Sequence, residues 1–338
     1  MIARNYNIKM NPEIVYLAEV MRVEGYWSTK TFTLTLQNKN LPFLRHIESI
    51  INNLKMPVYK RILFKIKVED DFEKEEVKLL NKNKIFHAYI EKSPFDGSKK
   101  IVTSLPYKKN YDLNLIINKN SFPIKMNVEK EEISIKSELK GWAYLDLRFP
   151  NKVMLSFLDD YAAKRDNFLR DAPKEYVASA FSALIDTEGS IDHYGFFRKI
   201  RIRMRNKKYL EEWKKLLIKY NIKARFQQNN EKEFEICIEG WEDFDRLNKL
   251  GLNLYHSKRN KKFKHILESY KRKQISRNTA LAFYIEKLKE LNKPISAKDF
   301  ALRLGKGKRV VNHYLKKLAK RNLLNINRLK NSWLYSAK

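Results

Sequence analysis

The sequence predicts an α+β fold. Two pseudo-symmetric repeats, each ordered helix, two strands, helix, two strands, helix, are separated by an inserted β-rich lobe and followed by a small helical domain. Three observations carry this. Two helical segments, Pro12–Glu24 and Lys174–Glu188, both end in Glu-Gly. The stretches that follow them match each other over about 85 positions, the signature of an internal repeat. Beyond residue 276 the pattern changes to short amphipathic helices and a hairpin. The boundaries read from the chain are 1–92, 93–172, 173–275 and 276–338.

Residues 1–11 are a short polar lead, and Pro12 opens the first helix. Thr31 to Gln37 alternates: Phe32, Leu34 and Leu36 face one way, and Thr31, Thr33, Thr35 and Gln37 the other. Val58 to Val68 continues the alternation, with Ile62, Phe64 and Ile66 inward and Arg61, Lys65 and Lys67 outward. Asp71 to Asn81 reads as a polar helix. Residues 93–172 have no counterpart in the second repeat. There Pro94, Asp96-Gly97, Pro106, Pro123 and Gly141-Trp142 punctuate short strands such as Asp112–Ile117 and Glu132–Ser137, before a helix from Val153 to Leu169. This stretch reads as a structural lobe and linker.

In the second repeat, Ala180, Ala183, Leu184 and Thr187 recur at helical spacing, and such a small apolar stripe lets two helix backbones approach closely. Gly189 suits a left-handed residue that ends a helix. Glu188 lies at the negative end of the helix dipole, so a positive partner is required, and a divalent cation is the obvious one. Lys199, Arg201, Arg203 and Arg205 share one strand face, opposite Ile200, Ile202 and Met204. Four cations on one face repel each other unless an anion joins them. Lys223, Arg225, Gln227 and Asn229 repeat the pattern on the next strand. Arg, Gln and Asn are the side chains that pair with guanine and adenine edges. Glu233 and Glu235 follow on the polar face, either to accept from cytosine or to restrain binding.

The repeats match segment by segment. Thr33–Lys39 lines up with Arg201–Lys207, and Phe43–Leu54 with Leu210–Tyr220. Ile66–Glu69 lines up with Ile236–Glu239, and Phe86-His87 with Tyr255-His256. In the last domain, Thr279–Leu291 is amphipathic, and Ser296 to Asp299 resembles a capping box that opens the helix Ala297–Leu304. After the turn Gly305–Lys308, the helix Arg309–Lys320 turns Val310, Tyr314, Leu315 and Leu318 inward. Leu323–Ile326 and Ser332–Tyr335 form a hairpin through Arg328–Asn331. Three helices and a hairpin resemble a winged helix-turn-helix domain. Residues 278–338 carry 15 Lys and Arg against 3 Asp and Glu, so the outward Lys308, Arg309, Asn312, His313 and Lys316 suit a DNA major groove.

The nonapeptides Leu17-Ala-Glu-Val-Met-Arg-Val-Glu-Gly25 and Phe181-Ser-Ala-Leu-Ile-Asp-Thr-Glu-Gly189 resemble two copies of the LAGLIDADG motif, which defines a family of homing endonucleases and related proteins. The first copy departs from the pattern at Glu19 and Arg22. The resemblance implies two αββαββα repeats forming a DNA-binding saddle in a pseudo-dimeric monomer, with helices 12–24 and 174–188 crossing at its centre. It implies that Glu24 and Glu188 bind Mg²⁺, or another divalent cation, beside the scissile phosphates of double-stranded DNA. It places a catalytic basic residue at Lys258, with Lys92 at the corresponding place in the first repeat. The function so implied is a freestanding, site-specific, Mg²⁺-dependent DNA endonuclease. The alternatives on the same fold are a non-cleaving transcriptional regulator, resembling the WhiA proteins that join this fold to a helix-turn-helix, and an RNA-splicing maturase.

Composition agrees with a polyanionic partner: the formal net charge is +31. One cysteine, Cys237, leaves no internal disulfide and no thiolate zinc site, and it reads as a structural strand residue. Six scattered histidines form no metal-binding pattern, and His87 and His256 read as packing or phosphate contacts. No apolar run approaches a membrane span and no secretory signal is present, so the expected location is intracellular, with the nucleoid.

Overall fold

The computed structural model describes residues 8–67, 77–81, 84–92, 98–117, 120–194, 197–230, 232–269, 275, 279–329 and 332–338. Helix α1 (Pro12–Val23) starts where Asn11 Oδ1 accepts from the Ile14 N–H and Pro12 takes the first turn. It leads into β1 (Tyr26–Ser28), β2 (Thr33–Asn38), α2 (Leu41–Asn53) and β3 (Tyr59–Lys67). Then come six strands: β4 (Val77–Asn81), β5 (Lys84–Lys92), β6 (Lys99–Pro106), β7 (Asn110–Ile117), β8 (Asn120–Val128) and β9 (Ile133–Lys136). Strand β10 (Gly141–Pro150) and helix α3 (Lys152–Asp171) follow. The second half runs α4 (Lys174–Glu188), β11 (Gly189–Tyr194), β12 (Phe197–Met204), α5 (Lys207–Lys219), β13 (Arg225–Asn230), β14 (Glu233–Ile238), α6 (Trp241–Leu250) and α7 (Ser257–Ser269). The last region holds α8 (Ala280–Leu291), β15 (Ile295–Ser296), α9 (Ala297–Leu304), α10 (Lys308–Lys320), β16 (Leu324–Leu329) and β17 (Ser332–Ala337).

Helices α1 and α4 pack on each other at the centre of the largest core, where Leu17, Ala18, Met21, Ala180, Ala183 and Leu184 are wholly buried. Both helices end at a glycine, but Gly189 is extended, at φ −74° and ψ 148°, rather than left-handed. What demands glycine is proximity. A Cβ at Gly189 would lie 2.5 Å from the Ile185 carbonyl oxygen, and one at Gly25 would lie 2.4 Å from that of Met21.

The two half-sheets share a strand order, β1-β2-β10-β3 in the first and β11-β12-β14-β13 in the second. The strand equivalent to β14 is therefore β10, and the expected match of Ile66–Glu69 with Ile236–Glu239 is corrected. The insertion interrupts the first repeat rather than following it. Strands β6, β5, β4, β7, β8 and β9 continue the sheet beyond β3. They close a second core of Leu79, Ile101, Leu115, Ile124 and Met126 against Ile62, Phe64 and Ile66 of β3. Three further corrections follow. Residues 77–81 are strand, not helix, while 71–76 lie outside the described residues. His87 is in β5 and His256 precedes α7, so they are not equivalents. Asn40 and Asn206 each cap their helix, bonding the Phe43 and Tyr209 N–H groups, so the true offset between β2 and β12 differs from the sequence match.

The departures in the first motif have a structural explanation. Glu19 is completely buried. It accepts from Tyr161 Oη at 2.9 Å, Arg165 Nε at 2.6 Å and Tyr209 Oη at 2.6 Å. The Arg165 guanidinium also lies 4.7 Å over the Tyr209 ring and 4.4 Å over Trp213. Arg22 covers Tyr209 at 4.5 Å. One carboxylate thus ties α1 to α3 and α5.

The C-terminal core gathers Ala280, Tyr284, Leu288, Phe300, Ala301, Val311, Leu315 and Leu318. Val311 is the inward residue; Val310 is 49% exposed, against expectation, because the helix phase places it one step off the stripe. Strands β15, β17 and β16 close this region as an antiparallel sheet. No described helix is long and apolar enough to cross a membrane.

Candidate nucleic-acid interface and its acidic centre

The feet of α1 and α4 bring Glu24, Asp186 and Glu188 toward one another. Burial pushes the Glu24 carboxyl up to about 7, with Glu188 and Asp186 adding to the rise. The Asn38 Nδ2 group donates to Glu24 Oε2 at 3.1 Å and opposes it. Asp186 is buried and raised to about 6, although Tyr16 Oη and the Tyr255 N–H both donate to its Oδ2 at 2.7 Å. Burial also raises Glu188.

A positive group does compensate them, and it belongs to the chain. Arg259, near the start of α7, reaches back to the end of α4. Its Nη1 donates to the Asp186 carbonyl and its Nη2 to the Thr187 carbonyl at 3.2 Å, which satisfies the C-terminal end of that helix. Glu24, Asp186 and Glu188 are the charges that hold its proton against desolvation. The expected partner, Lys258, points elsewhere: its Nζ lies 2.8 Å from Glu132 Oε2 of the inserted lobe. Adjacent helix residues differ by about 100° in direction, so only one of the two can face the carboxylates. Lys92 ends β5 inside the lobe, with Lys99 as its register neighbour. His256 is held near 4 by burial and is neutral at physiological pH, which suits packing rather than phosphate.

Whether Mg²⁺ suits this centre is decided by the donor set. Two glutamates offer hard oxygen donors, and the Arg259 guanidinium beside them supplies part of their counter-charge. Among the described residues no group of three or more His, Cys, Asp or Glu is placed to hold a metal ion. Mg²⁺ is held through one or two carboxylates together with phosphate oxygens and waters, so Glu24 and Glu188 fit such an ion only where Arg259 gives up its place beside them. A pH dependence follows. The folded Glu24 binds its proton more tightly than the unfolded chain does, so stability should fall as pH rises from about 4.5 to about 7. Glu24→Gln should flatten this slope in thermal melts across that range; an unchanged slope would show that Glu24 titrates normally.

The polar strand faces lie away from the helices. In the second half Ile200, Ile202, Ile236 and Ile238 are buried below. Above, Arg203 is 44% exposed at its side chain and Arg225 58%. The cations expected to repel one another carry intramolecular anions: Lys199 and Arg225 meet Glu239 at 3.4 and 3.3 Å, and Arg201 and Arg203 meet Asp192 and Glu235 at 2.5 Å each. Gln227 and Asn229 bond to Glu235 as well. In the first half Thr33, Thr35 and Gln37 of β2 stand on the same face as Arg61 and Lys65 of β3, joined through Arg148 and Asp146 of β10. Thr31 precedes the strand, and Phe32 is 40% exposed in a left-handed turn at φ 50°. Lys67 is exposed, while Lys65 pairs with Glu91. Lys223 lies just before β13 and is exposed, and Arg205 lies just after β12.

Asp146 was not singled out by the sequence. It is buried, lies between Gln37 and Arg61 in register, and has Arg148 Nε at 2.8 Å. Glu235 holds the same place between Arg203 and Gln227. The signal was available: Ala143, Leu145, Leu147 and Phe149 alternate with Trp142, Tyr144, Asp146 and Arg148.

The family model described as "LAGLIDADG-like domain" matches residues 175–267. The match spans 93 of the 338 residues. No curated protein sequence matches the chain. Among solved structures, full-length DUF199/WhiA from Thermatoga maritima is similar at 12% identity and a TM-score of 0.42, covering 94% of each chain. The N-terminal LAGLIDADG domain of DUF199/WhiA is similar at 11% identity and a TM-score of 0.36, over 74% of this chain and 86% of that one. I-DmoI in complex with DNA and Mn is similar at 9% identity and a TM-score of 0.34, over 71% of this chain and 95% of that one. The matched segment carries Glu188, Arg259 and the Arg203–Glu235–Gln227 row. Glu24 comes from outside the matched segment.

In the C-terminal region, Lys308, Arg309, His313 and Lys316 are exposed along α10 and Asn312 is half-exposed. Trp333 on the hairpin is 54% exposed, with Arg328 over its ring at 5.6 Å.

Proposed function

We propose that the chain is a sequence-specific double-stranded-DNA-binding protein that does not cut its target. Both half-sheets and α10 serve as contact surfaces, and one chain supplies both halves of a pseudo-twofold binder. The observation that carries the reading is Arg259. Its guanidinium donates to the end of α4 and lies beside Glu24, Asp186 and Glu188, so the chain itself supplies positive charge where a divalent cation would otherwise sit. The remaining features are those of binding: polar strand faces set over buried isoleucines, a net charge of +31 and an exposed basic helix face.

A second reading, a Mg²⁺-dependent endonuclease, is favoured by one fact. Glu188 lies close enough to Glu24 to add to the rise in its proton affinity. It requires Arg259 to withdraw when DNA binds. Selection of targets from a randomised duplex library, followed by nicking of a supercoiled plasmid carrying the target with Mg²⁺, separates the two. The expected result is tight binding with a steep salt dependence, from phosphate neutralisation, and no nicking. Mg²⁺-dependent nicking that Glu188→Gln abolishes would establish the nuclease instead.

A further inference from the structure

Glu235 restricts what its neighbours can offer a base, and the restriction follows from its chemistry. It is 1% exposed, lies in the middle strand of β12-β14-β13, and as a carboxylate can only accept. Arg203 donates Nε to Oε2 at 2.5 Å, which leaves both Nη groups unclaimed by Glu235. Gln227 Nε2 donates to Oε1 at 2.9 Å and to Asn229 Oδ1 at 3.2 Å. A carboxylate cannot face an amide oxygen without repulsion, so the Gln227 amide orientation is set. Both its N–H bonds are committed, and only its carbonyl oxygen remains. Asn229 spends its own amide on the cluster: Nδ2 donates to Glu235 Oε2 at 3.3 Å and to Glu233 Oε2 at 3.5 Å, while Oδ1 accepts from Gln227.

A free Gln singles out adenine by donating to N7 and accepting from N6. Gln227 held this way can accept but not donate. Adenine N6 and cytosine N4 both carry an amino group in the major groove, whereas guanine O6 and thymine O4 are acceptors that would face the carbonyl oxygen. Arg203 keeps the paired donors that match guanine O6 and N7. The two residues flank Glu235 on adjacent strands, about 10 Å apart, which fits within the roughly 12 Å width of a major groove.

We infer that Glu235 is a positioning residue which makes the second half-sheet read a guanine through Arg203 and, at a nearby position, an amino-bearing base, adenine or cytosine alike, through Gln227. The inference rests on the DNA-binding reading. On this inference Glu235 contacts no base itself and acts through its neighbours.

The test uses the full chain and duplexes selected from a randomised library. Arg203→Ala should erase a guanine preference at one position. Gln227→Ala should erase, at another, a preference of roughly 10-fold or more for adenine and cytosine over guanine and thymine. Asn229 is exposed, so Asn229→Ala should fold normally; it returns one N–H to Gln227, and adenine should then be preferred over cytosine. Glu235→Gln should remove or reverse the amino-over-keto preference, because the new amide can donate to the Gln227 oxygen and turn its N–H groups outward. Should that variant not fold, the Asn229 and Gln227 variants decide. A Gln227-dependent position that favours guanine or thymine in the wild type, or an Asn229→Ala protein that still treats adenine and cytosine alike, would overturn the inference while leaving DNA binding intact. A wild-type protein that binds no duplex would overturn the DNA-binding reading, and this inference with it.

Discussion

Glu19→Ala is expected to destabilise the protein by about 3–5 kcal/mol, the usual cost of removing one partner from a buried ion pair. Arg165 would keep its charge in a site where it is 1% exposed, and Tyr161 and Tyr209 would each lose an acceptor. The stacked rings of Tyr209 and Trp213 offset only part of that loss. Equilibrium urea unfolding gives the number directly. Replacing Glu19 and Arg165 together with apolar residues of similar volume should recover much of it, because the desolvation cost of both charges disappears. A single Glu19→Ala variant within about 1 kcal/mol of wild type would show that the cluster is not closed as described.

Arg259→Met is expected to have the second large effect, and one with a distinctive pH profile. The variant loses the donors that close the end of α4 and the positive charge shared by Glu24, Asp186 and Glu188. The loss should approach about 2–3 kcal/mol above pH 7, where the carboxylates are ionised. It should shrink toward pH 5, since protonated carboxyls need no counter-charge. The sign follows from the raised folded-state values of about 7 for Glu24 and about 6 for Asp186, which removal of a cation raises further. Millimolar Ca²⁺ should raise the melting temperature of the variant more than that of wild type, by filling the place of the guanidinium. Identical melting curves for variant and wild type at pH 8 would refute the view that Arg259 is the resident cation.

The motif helices, the alternating strands β2, β3 and β12 and the C-terminal helices were legible because each has a local cause: a cap, a period of two, or a stripe. The position of β10 was not. Nothing local says that a strand found after the insertion returns to lie between β2 and β3; the closer match of 66–69 to 236–239 arose because any two alternating strands with the same ends resemble each other. The helix dipole calls for a positive group beside Glu188, for which the sequence suggests a divalent cation, whereas the group the fold brings there, Arg259, depends on the phase of α7. Lys258 and Arg259 are both basic neighbours, and only the packed helix distinguishes them. The pairing of the Arg row was half-visible: Asp192, Glu235 and Glu239 are plain in the sequence, yet their register against Lys199, Arg201 and Arg203 is a property of the sheet. Glu19 and Arg22 looked like decay of a motif because their partners, Tyr161, Arg165 and Tyr209, lie far away in the chain.

The late return of β10 bears on how the protein comes to be made. As the ribosome releases the first half, β2 and β3 each present an unpaired edge, and neither can bond to the other across the gap reserved for β10. That gap closes only after the whole insertion has emerged, and α1 must wait longer still for α4. Long-range pairings of this kind slow folding, because loop-closure entropy is spent before any contact rewards it. The inserted lobe has a core of its own and can gather early on β3. Docked there, the lobe holds the start of β10 beside β3, and β10 is therefore expected to be among the last strands of the first repeat to pair.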